Sequence, residues 1–390
     1  MVFATDRRAR LFRNAYGDSL KIVKASPSRK KALLVKFGQI GDVVMAIPAA
    51  RALYDQGFDI HWAAGRAVRP LLACYSWINV IPADDKAILT GSPLVRVKAI
   101  AVFWSKVALK KYDLCATLYY DSRFRILTLP IRAHRKFSLS RHPKRTRELL
   151  PGRNHTDEFE RILVGEDSCR DHSTPPLRPD NLPSSPLPPK LASRRVAIVP
   201  GGAANLVRRQ ILRRWPIENY VELASRLVGR GWEVVLLGGP EDDQFRAYFQ
   251  QLTVTDCIGK LSLPEVISVC DSCDAVVSHD TGPLHLAGLS KSCLLGIFGP
   301  TEPAMFLPRR AFSVGIWGGQ SFACRPCYDG TDFAPCQFNG CMHQVTVEMV
   351  ISELDSLLSA RAEGTPSPWR IVLPSEISLV PTNSLLTWPN

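Results

Sequence analysis

The sequence predicts an α/β protein made of two doubly wound halves, each a mainly parallel sheet with helices on both faces. Three observations predict it. Strand-like and helix-like runs alternate twice along the chain, on either side of a proline-rich break. The strand-like runs end in glycine-rich or polar turns in both halves. The 390 residues, 46% of them apolar, are enough for two cores.

The elements follow in order. After a basic leader (1–30), KALLVKF (31–37) reads as a buried strand that ends at GQIGD. VVMAIPAARALYDQG keeps helical spacing up to Gly57. FDIHWAAG is a second strand and AVRPLLACYS a helix; NVIPAD, KYDLCATLYY and the RKFSL segment are further short strands. STPPLRPDNLPSSPLPPK (173–190) holds seven prolines and reads as a semi-rigid linker. The alternation restarts with RRVAIVP (194–200), which ends in GGAAN. WPIENYVELASRLVGRG is a helix closed by glycine, and WEVVLLGG is a strand. PEDDQFRAYFQQL is a helix opened by proline and acids. LPEVISVCDSC (helix), DAVVS (strand), GPLHLAG (helix) and CLLGIFG (strand) complete the pattern. The expected divisions are a first domain 31–172, a linker 173–194, a second domain 195–361 and a Pro/Ser-rich tail 362–390 with no assigned place.

The net charge of +13 is local. Residues 1–31 carry +7 and residues 132–147 another +7, so the rest of the chain sums to −1. Such segments suit a polyanion or a solvated surface. They carry no aromatic-interleaved or helix-turn-helix signature, so no nucleic-acid partner is expected. The leader lacks an apolar core, no apolar run is long enough to span a bilayer, and the cysteines number eleven. Together these lead to the expectation of a cytoplasmic protein in a reducing compartment.

Ligands of open parallel sheets bind outside the carboxyl ends of the strands. Polar clusters fall there repeatedly: Gly38, Gly41 and Asp42 in the first half, then Gly201 and Gly202, Gly238, Gly239 and Glu241, Asp280, Thr281 and Gly282, and Gly299, Pro300 and Thr301 in the second. Glycine turns and helix N-termini suit phosphate. Neither half has a full G-x-G-x-x-G, and the second strand ends without the carboxylate that a nicotinamide dehydrogenase uses. A ligand cleft between two domains is the economical arrangement.

KFGQIGDVVMAIPAARAL, RRWPIENYVELASRLVGRGWEVVLLGGPED and VSHDTGPLHLAGLSKSCLLGIFGPTEP together resemble the heptosyltransferases of glycosyltransferase family 9. These enzymes build the inner core of lipopolysaccharide. The resemblance runs over about residues 31 to 355, with three motifs in the right order. It implies the GT-B fold, two Rossmann-like domains facing across a cleft, and inverting, metal-independent transfer of heptose from ADP-heptose. Asp42 then matches the catalytic base, and an Asp there could also cap the following helix, the two roles being compatible. Arg213 stands where relatives have Lys, with Arg214 beside it, and either could neutralise the donor pyrophosphate. Glu241 falls where the family binds the donor ribose. Gly201 and Gly202 would line the donor site, with Thr281 and Gly282 on phosphate and Asp280 on sugar hydroxyls. His285 reaches the phosphate or packs inside.

On the acceptor side the expected contacts are Gly41, Arg66, Arg123, Arg135 and Lys136, facing an anionic glycolipid at the inner membrane surface. The resemblance implies that no cofactor is required for the reaction. Cys324, Cys327, Cys336 and Cys341 read C-x2-C-x8-C-x4-C. They suit a structural zinc or free thiols.

Overall fold

The computed structural model describes residues 29–141, 147–165, 175–203, 210–325, 327–328 and 333–374. Most of the basic leader (1–28), five residues near the end of the second basic run (142–146) and most of the tail (375–390) lie outside the described residues.

The first sheet holds β1 (Lys30–Val35), β2 (Phe58–Ala64), β3 (Ile78–Pro82), β4 (Lys111–Thr117) and β5 (Arg132–Ser138), in the order β3-β2-β1-β4-β5. Its helices are α1 (Ile40–Asp55), α2 (Arg69–Leu72), α3 (Asp85–Thr90), α4 (Pro93–Val107), α5 (Arg123–Thr128) and α6 (His155–Leu163). The second sheet holds β6 (Arg195–Val199), β7 (Glu233–Leu236), β8 (Thr255–Asp256), β9 (Ala275–His279), β10 (Cys293–Phe298), β11 (Ser313–Trp317) and β12 (Arg370–Val372). Its order is β12-β11-β10-β9-β6-β7-β8. Its helices are α7 (Ile217–Gly229), α8 (Leu263–Asp271), α9 (Gly282–Gly288), α10 (Pro303–Phe306), α11 (Gly340–His343) and α12 (Val347–Ala362). Every pair of neighbouring strands in both sheets is parallel.

Alternation of side chains explains why these strands read as continuous apolar runs. In β1, Ala32 and Leu34 enter one core while Leu33 and Val35 enter another. In β6, Ala197 and Val199 face one way, and Val196 and Ile198 the other. Both faces are buried, as parallel sheets require. The inner faces of the two sheets share one core: Val44 and Ile47 of α1 belong to the same apolar cluster as Leu284 and Leu286 of α9.

Four expectations change. The tail is partly built in, because β12 pairs with β11 at the edge of the second sheet. The linker is fastened on both sides. Tyr75 Oη donates to Leu177 O (2.7 Å) and Ser76 Oγ to Asp180 (2.8 Å), while Ser268 Oγ donates to Pro183 O (2.6 Å) and Arg178 pairs with Asp271. Prolines supply no N–H, so the segment's carbonyls are satisfied by its neighbours instead. AVRPLLACYS yields only the single turn α2. PEDDQFRAYFQQL winds as a 3-10 helix, Pro240–Phe249. Asp242 tightens its start by accepting from the amides of Gly239 (2.8 Å) and Gly202 (2.7 Å).

The domains are joined next to α6. Asn154 caps α6 through its side-chain oxygen and donates from Nδ2 to Ala304 O (3.1 Å) and Leu307 O (3.3 Å). Arg309 pairs with Asp157, both buried. Removing one half of a buried ion pair is strongly destabilising, whereas replacing both halves with apolar groups is close to neutral. Arg309→Ala is therefore expected to lower unfolding stability by about 3 kcal/mol in urea titrations. The double change Arg309→Met with Asp157→Leu is expected to recover most of it.

Candidate functional site

In each sheet the chain reverses its direction of winding once: between β1 and β4 in the first, and between β6 and β9 in the second. Such points open a crevice at the carboxyl ends of the strands. Lys36 to Asp42 follow β1, Leu118 and Tyr119 follow β4, Gly201 to Ala203 follow β6, and Asp280 and Thr281 follow β9. The two crevices meet because α1 and α9 start there and touch. A Cβ on Gly41 would lie 2.6 Å from Cδ2 of His285, and one on Gly282 would lie 3.1 Å from Cβ of Ile40.

Asp42 occupies the third position of α1, and the N-cap is Gln39 with no side-chain cap bond. Asp42 is therefore not the N-cap. Its Oδ2 accepts from Lys36 Nζ at 2.7 Å, while no described residue donates to Oδ1. Lys36 is buried, also donates to Leu118 O (3.2 Å), and lies 4.2 Å from the centre of the Tyr119 ring. The Tyr119 hydroxyl in turn accepts from the amides of Phe37 (2.9 Å) and Gly38 (3.1 Å), which fixes the turn after β1. Burial alone would raise the Asp42 pKa, but the Lys36 ammonium outweighs it and holds the carboxyl below the usual range. Burial likewise works against the Lys36 charge, and Asp42 more than restores it.

Across the crevice, Asp280 is buried at the end of β9. Its Oδ2 accepts from Thr301 Oγ1 (2.7 Å) and from Arg213 Nη1 (3.1 Å). His285 Nε2 stands 3.9 Å from its Oδ1. Burial opposes its charge, and Arg213 overcomes that and lowers its pKa. Arg213 Nε is buried and has no hydrogen-bond partner among the described residues. Arg214 is turned elsewhere, donating from Nε (2.9 Å) and Nη2 (2.7 Å) to Gly202 O. The turn after β6 is held from two sides. Gly202, at φ +88°, gives its amide to Asp242, and the Ala203 amide goes to Thr281 Oγ1 at 2.8 Å. That φ favours glycine.

Thus Asp42, Gly41, Gly201, Gly202, Arg213, Arg214, Asp280, Thr281, Gly282 and His285 gather at one place, and other expected residues do not join them. Glu241 is exposed, and its neighbour Asp242 is the one drawn in. Arg66 and Arg123 lie just beyond the carboxyl ends of β2 and β4, exposed, with Arg123 paired to Asp121 (2.6 Å). Arg135 and Lys136 sit within the edge strand β5, and Lys136 Nζ is bonded to carbonyls at the end of α5. Cys324 and Cys336 are exposed and Cys327 and Cys341 half-buried. Burial, then the nearby Cys327, Cys336 and Cys324, push the Cys341 thiol up to about 12. Among the described residues no three His, Cys, Asp or Glu side chains stand ready to hold a metal ion.

Sequence reasoning missed Lys36, Tyr119, Asp242 and His155. The first two were visible as polar residues closing apolar strands, and Asp242 as one of two acids after Glu241. His155 gave no signal. It opens α6, is buried against Phe306 (4.6 Å between ring centres), and its Nδ1 has no partner among the described residues.

Comparison with known proteins adds the following. Residues 190–336 match the family model described as glycosyltransferase family 9 (heptosyltransferase). The chain is 24% identical over 301 residues to the lipopolysaccharide core heptosyltransferase OpsX of Haemophilus influenzae, covering 72% of this chain and 82% of that one. It is 32% identical over 98 residues to lipooligosaccharide heptosyltransferase 2 of the same organism, which is 23% of this chain and 28% of that protein. The matched stretch thus spans little more than a quarter of that relative. The solved structure of the ADP-heptose lps heptosyltransferase II of E. coli superposes with a TM-score of 0.63 at 19% identity, covering 85% of this chain and 99% of that one. The architecture is the expected GT-B fold. Among the described residues, no helix is long and apolar enough to cross a membrane.

The buried imidazoles give a pH dependence. Burial, more than any neighbour, lowers the pKa of His155 to about 4 and of His279 to about 3. An unfolded histidine binds its proton near pH 6.5. Below that pH the unfolded chain takes up protons that the folded chain refuses, so stability falls as pH drops from 6.5 toward 4 and is flat above. Urea midpoints at pH 4.5, 5.5 and 7 are expected to rise in that order, with a shallower slope in His155→Phe.

Proposed function

We propose, for a chain that is a heptosyltransferase-like member of glycosyltransferase family 9, that it transfers a heptose from ADP-heptose to the inner core of lipopolysaccharide with inversion at the anomeric carbon. The observation that carries this reading is the meeting of Asp42 with the Arg213–Asp280–Thr301 cluster where the two crevices join. A carboxylate kept ionised stands on one side, and on the other a guanidinium whose Nε has no partner among the described residues. The similarity of fold to an ADP-heptose heptosyltransferase of E. coli supports the choice of donor.

In this reading Lys36 holds Oδ2 of Asp42, so Oδ1 is the oxygen that meets the acceptor hydroxyl. As the hydroxyl oxygen attacks the anomeric carbon, its proton passes to Oδ1. The bond from that carbon to the phosphate oxygen breaks, and its electron pair leaves on ADP. Arg213 neutralises the growing charge on the pyrophosphate, and its fork suits phosphate oxygens. Asp280 and Thr301 position Arg213, so Asp280 acts through the arginine rather than on sugar hydroxyls. Arg214, Asp242 and Thr281 keep the Gly201–Ala203 turn in shape. Charge neutralisation is thereby assigned to side chains and not to a metal ion.

The test is a transfer assay with a panel of nucleotide sugars on truncated lipopolysaccharide. Turnover with ADP-heptose is expected, and exclusive use of another donor would overturn the substrate claim. Asp42→Asn is expected to lower kcat by about 100-fold or more, as loss of a general base does. Lys36→Met removes the main charge that opposes burial at Asp42. Its pKa then rises, so activity is expected to fall already as pH drops below neutral, whereas Lys36→Arg keeps the wild-type acid limb. Near-normal turnover in Asp42→Asn would remove Asp42 from its role.

A structural zinc on Cys324, Cys327, Cys336 and Cys341 is a separate proposal, supported by their C-x2-C-x8-C-x4-C spacing alone and requiring the four thiols to draw together on binding. Metal analysis of the purified protein is expected to find about one zinc per chain that is lost in Cys324→Ser/Cys327→Ser. Metal-free protein of unchanged stability would refute it.

A further inference from the structure

The outer face of α4 is built the wrong way round for a helix surrounded by water. Its inner side buries Phe103 and Val107, and Trp104 Nε1 donates to Leu127 O at 3.0 Å, fastening it to α5. Its outer side presents Leu94 (85% exposed), Val97 (65%) and Val102, all within the half of the helix turned away from Phe103 and Val107. Leu109, just past the helix end, is 94% exposed, and Ile126 and Leu129 of the neighbouring α5 region are exposed as well. Scattered exposed apolar residues are ordinary, but a run of six on two adjoining elements is not.

Charge identifies the occupant. Residues 93–111 and 123–129, which carry this face, contain seven Lys and Arg and no Asp or Glu, Arg123 alone of them being paired with an acid, Asp121, among the described residues. Lys98 lies within the apolar face and Lys106 at its edge, with Lys110 and Arg125 close in sequence to Leu109 and Ile126. A second protein chain held by this face would have to cover a dense positive charge. An anionic bilayer accepts both components at once: apolar side chains enter the acyl boundary while lysine and arginine heads meet lipid phosphates. The position fits too. The chain leaves the carboxyl end of β3, passes through α3 and enters α4, so Leu94 lies toward the edge of the sheet where Asp42 stands.

We infer that the exposed face of α4, continued onto α5, seats the first domain on an anionic lipid surface. This deepens the reading of a glycolipid acceptor, because it brings the acceptor-side crevice to the membrane that would hold such a lipid. The binding itself needs no transfer activity.

The experiment is vesicle flotation of the full chain. Vesicles of phosphatidylethanolamine and phosphatidylglycerol are compared with vesicles of phosphatidylcholine. The wild type is expected to float with the former, to release in high salt, and to ignore the latter. Leu94→Gln/Val97→Gln/Leu109→Gln is expected to reduce the bound fraction about tenfold or more, with unchanged circular dichroism and thermal unfolding. Lys98→Gln/Lys106→Gln is expected to weaken binding and its salt dependence. Flotation of the triple variant equal to wild type, or no wild-type flotation, overturns the inference. So does a lipid-free wild type that sediments as a dimer while the triple variant sediments as a monomer, since the face then belongs to a second copy. Transfer to a delipidated core oligosaccharide separates the two readings. Transfer without flotation sinks the docking surface alone, and flotation without transfer sinks the enzymatic reading alone.

Discussion

The site depends on one close approach, the start of α1 against α9, and that approach depends on Gly41. Any side chain at this position would overlap the His285 ring. Because none is present, the crevice of the first sheet and the crevice of the second become one. The shared apolar core of α1 and α9, the buried Arg309–Asp157 pair and the fastened proline segment hold the domains in that relation. A carboxylate from one domain and an arginine from the other then line the same crevice.

Electrostatics follows from that geometry. Two carboxylates, Asp42 and Asp280, are brought into one poorly hydrated space with two histidines. Burial alone would raise the pKa of each. The fold prevents this by giving each its own cation, Lys36 for Asp42 and Arg213 for Asp280. The imidazoles contribute no lasting positive charge, since burial keeps His155 and His285 below their ordinary pKa. The result is two ionised carboxylates in one crevice, each with its own cation.

Much of this was legible in the residues. Alternating apolar runs gave the strands, and polar turns after β1, β6 and β9 marked the crevices, because a parallel sheet leaves only its carboxyl ends open for chemistry. What was hidden has physical reasons. Lys36 closes an apolar strand, so its burial depends on Asp42 six residues away and on the ring of Tyr119, a contact that no local pattern encodes. Glu241 and Asp242 look alike in sequence, and only the tight turn decides that Asp242 braces Gly202 while Glu241 faces water. His155 arrives from α6, a nine-residue helix whose role appears only once it packs on α1 and α10. The edge strand β12 is three residues long, too short for periodicity to show.

The most direct measurement is a crystal structure with ADP bound. The account expects the pyrophosphate within hydrogen-bond distance of Arg213 Nε, beside the Gly201–Ala203 turn, with its free end directed toward Asp42. ADP seated away from the β6–β9 crevice, or with Arg213 still turned wholly to Asp280 and no phosphate contact, would contradict it.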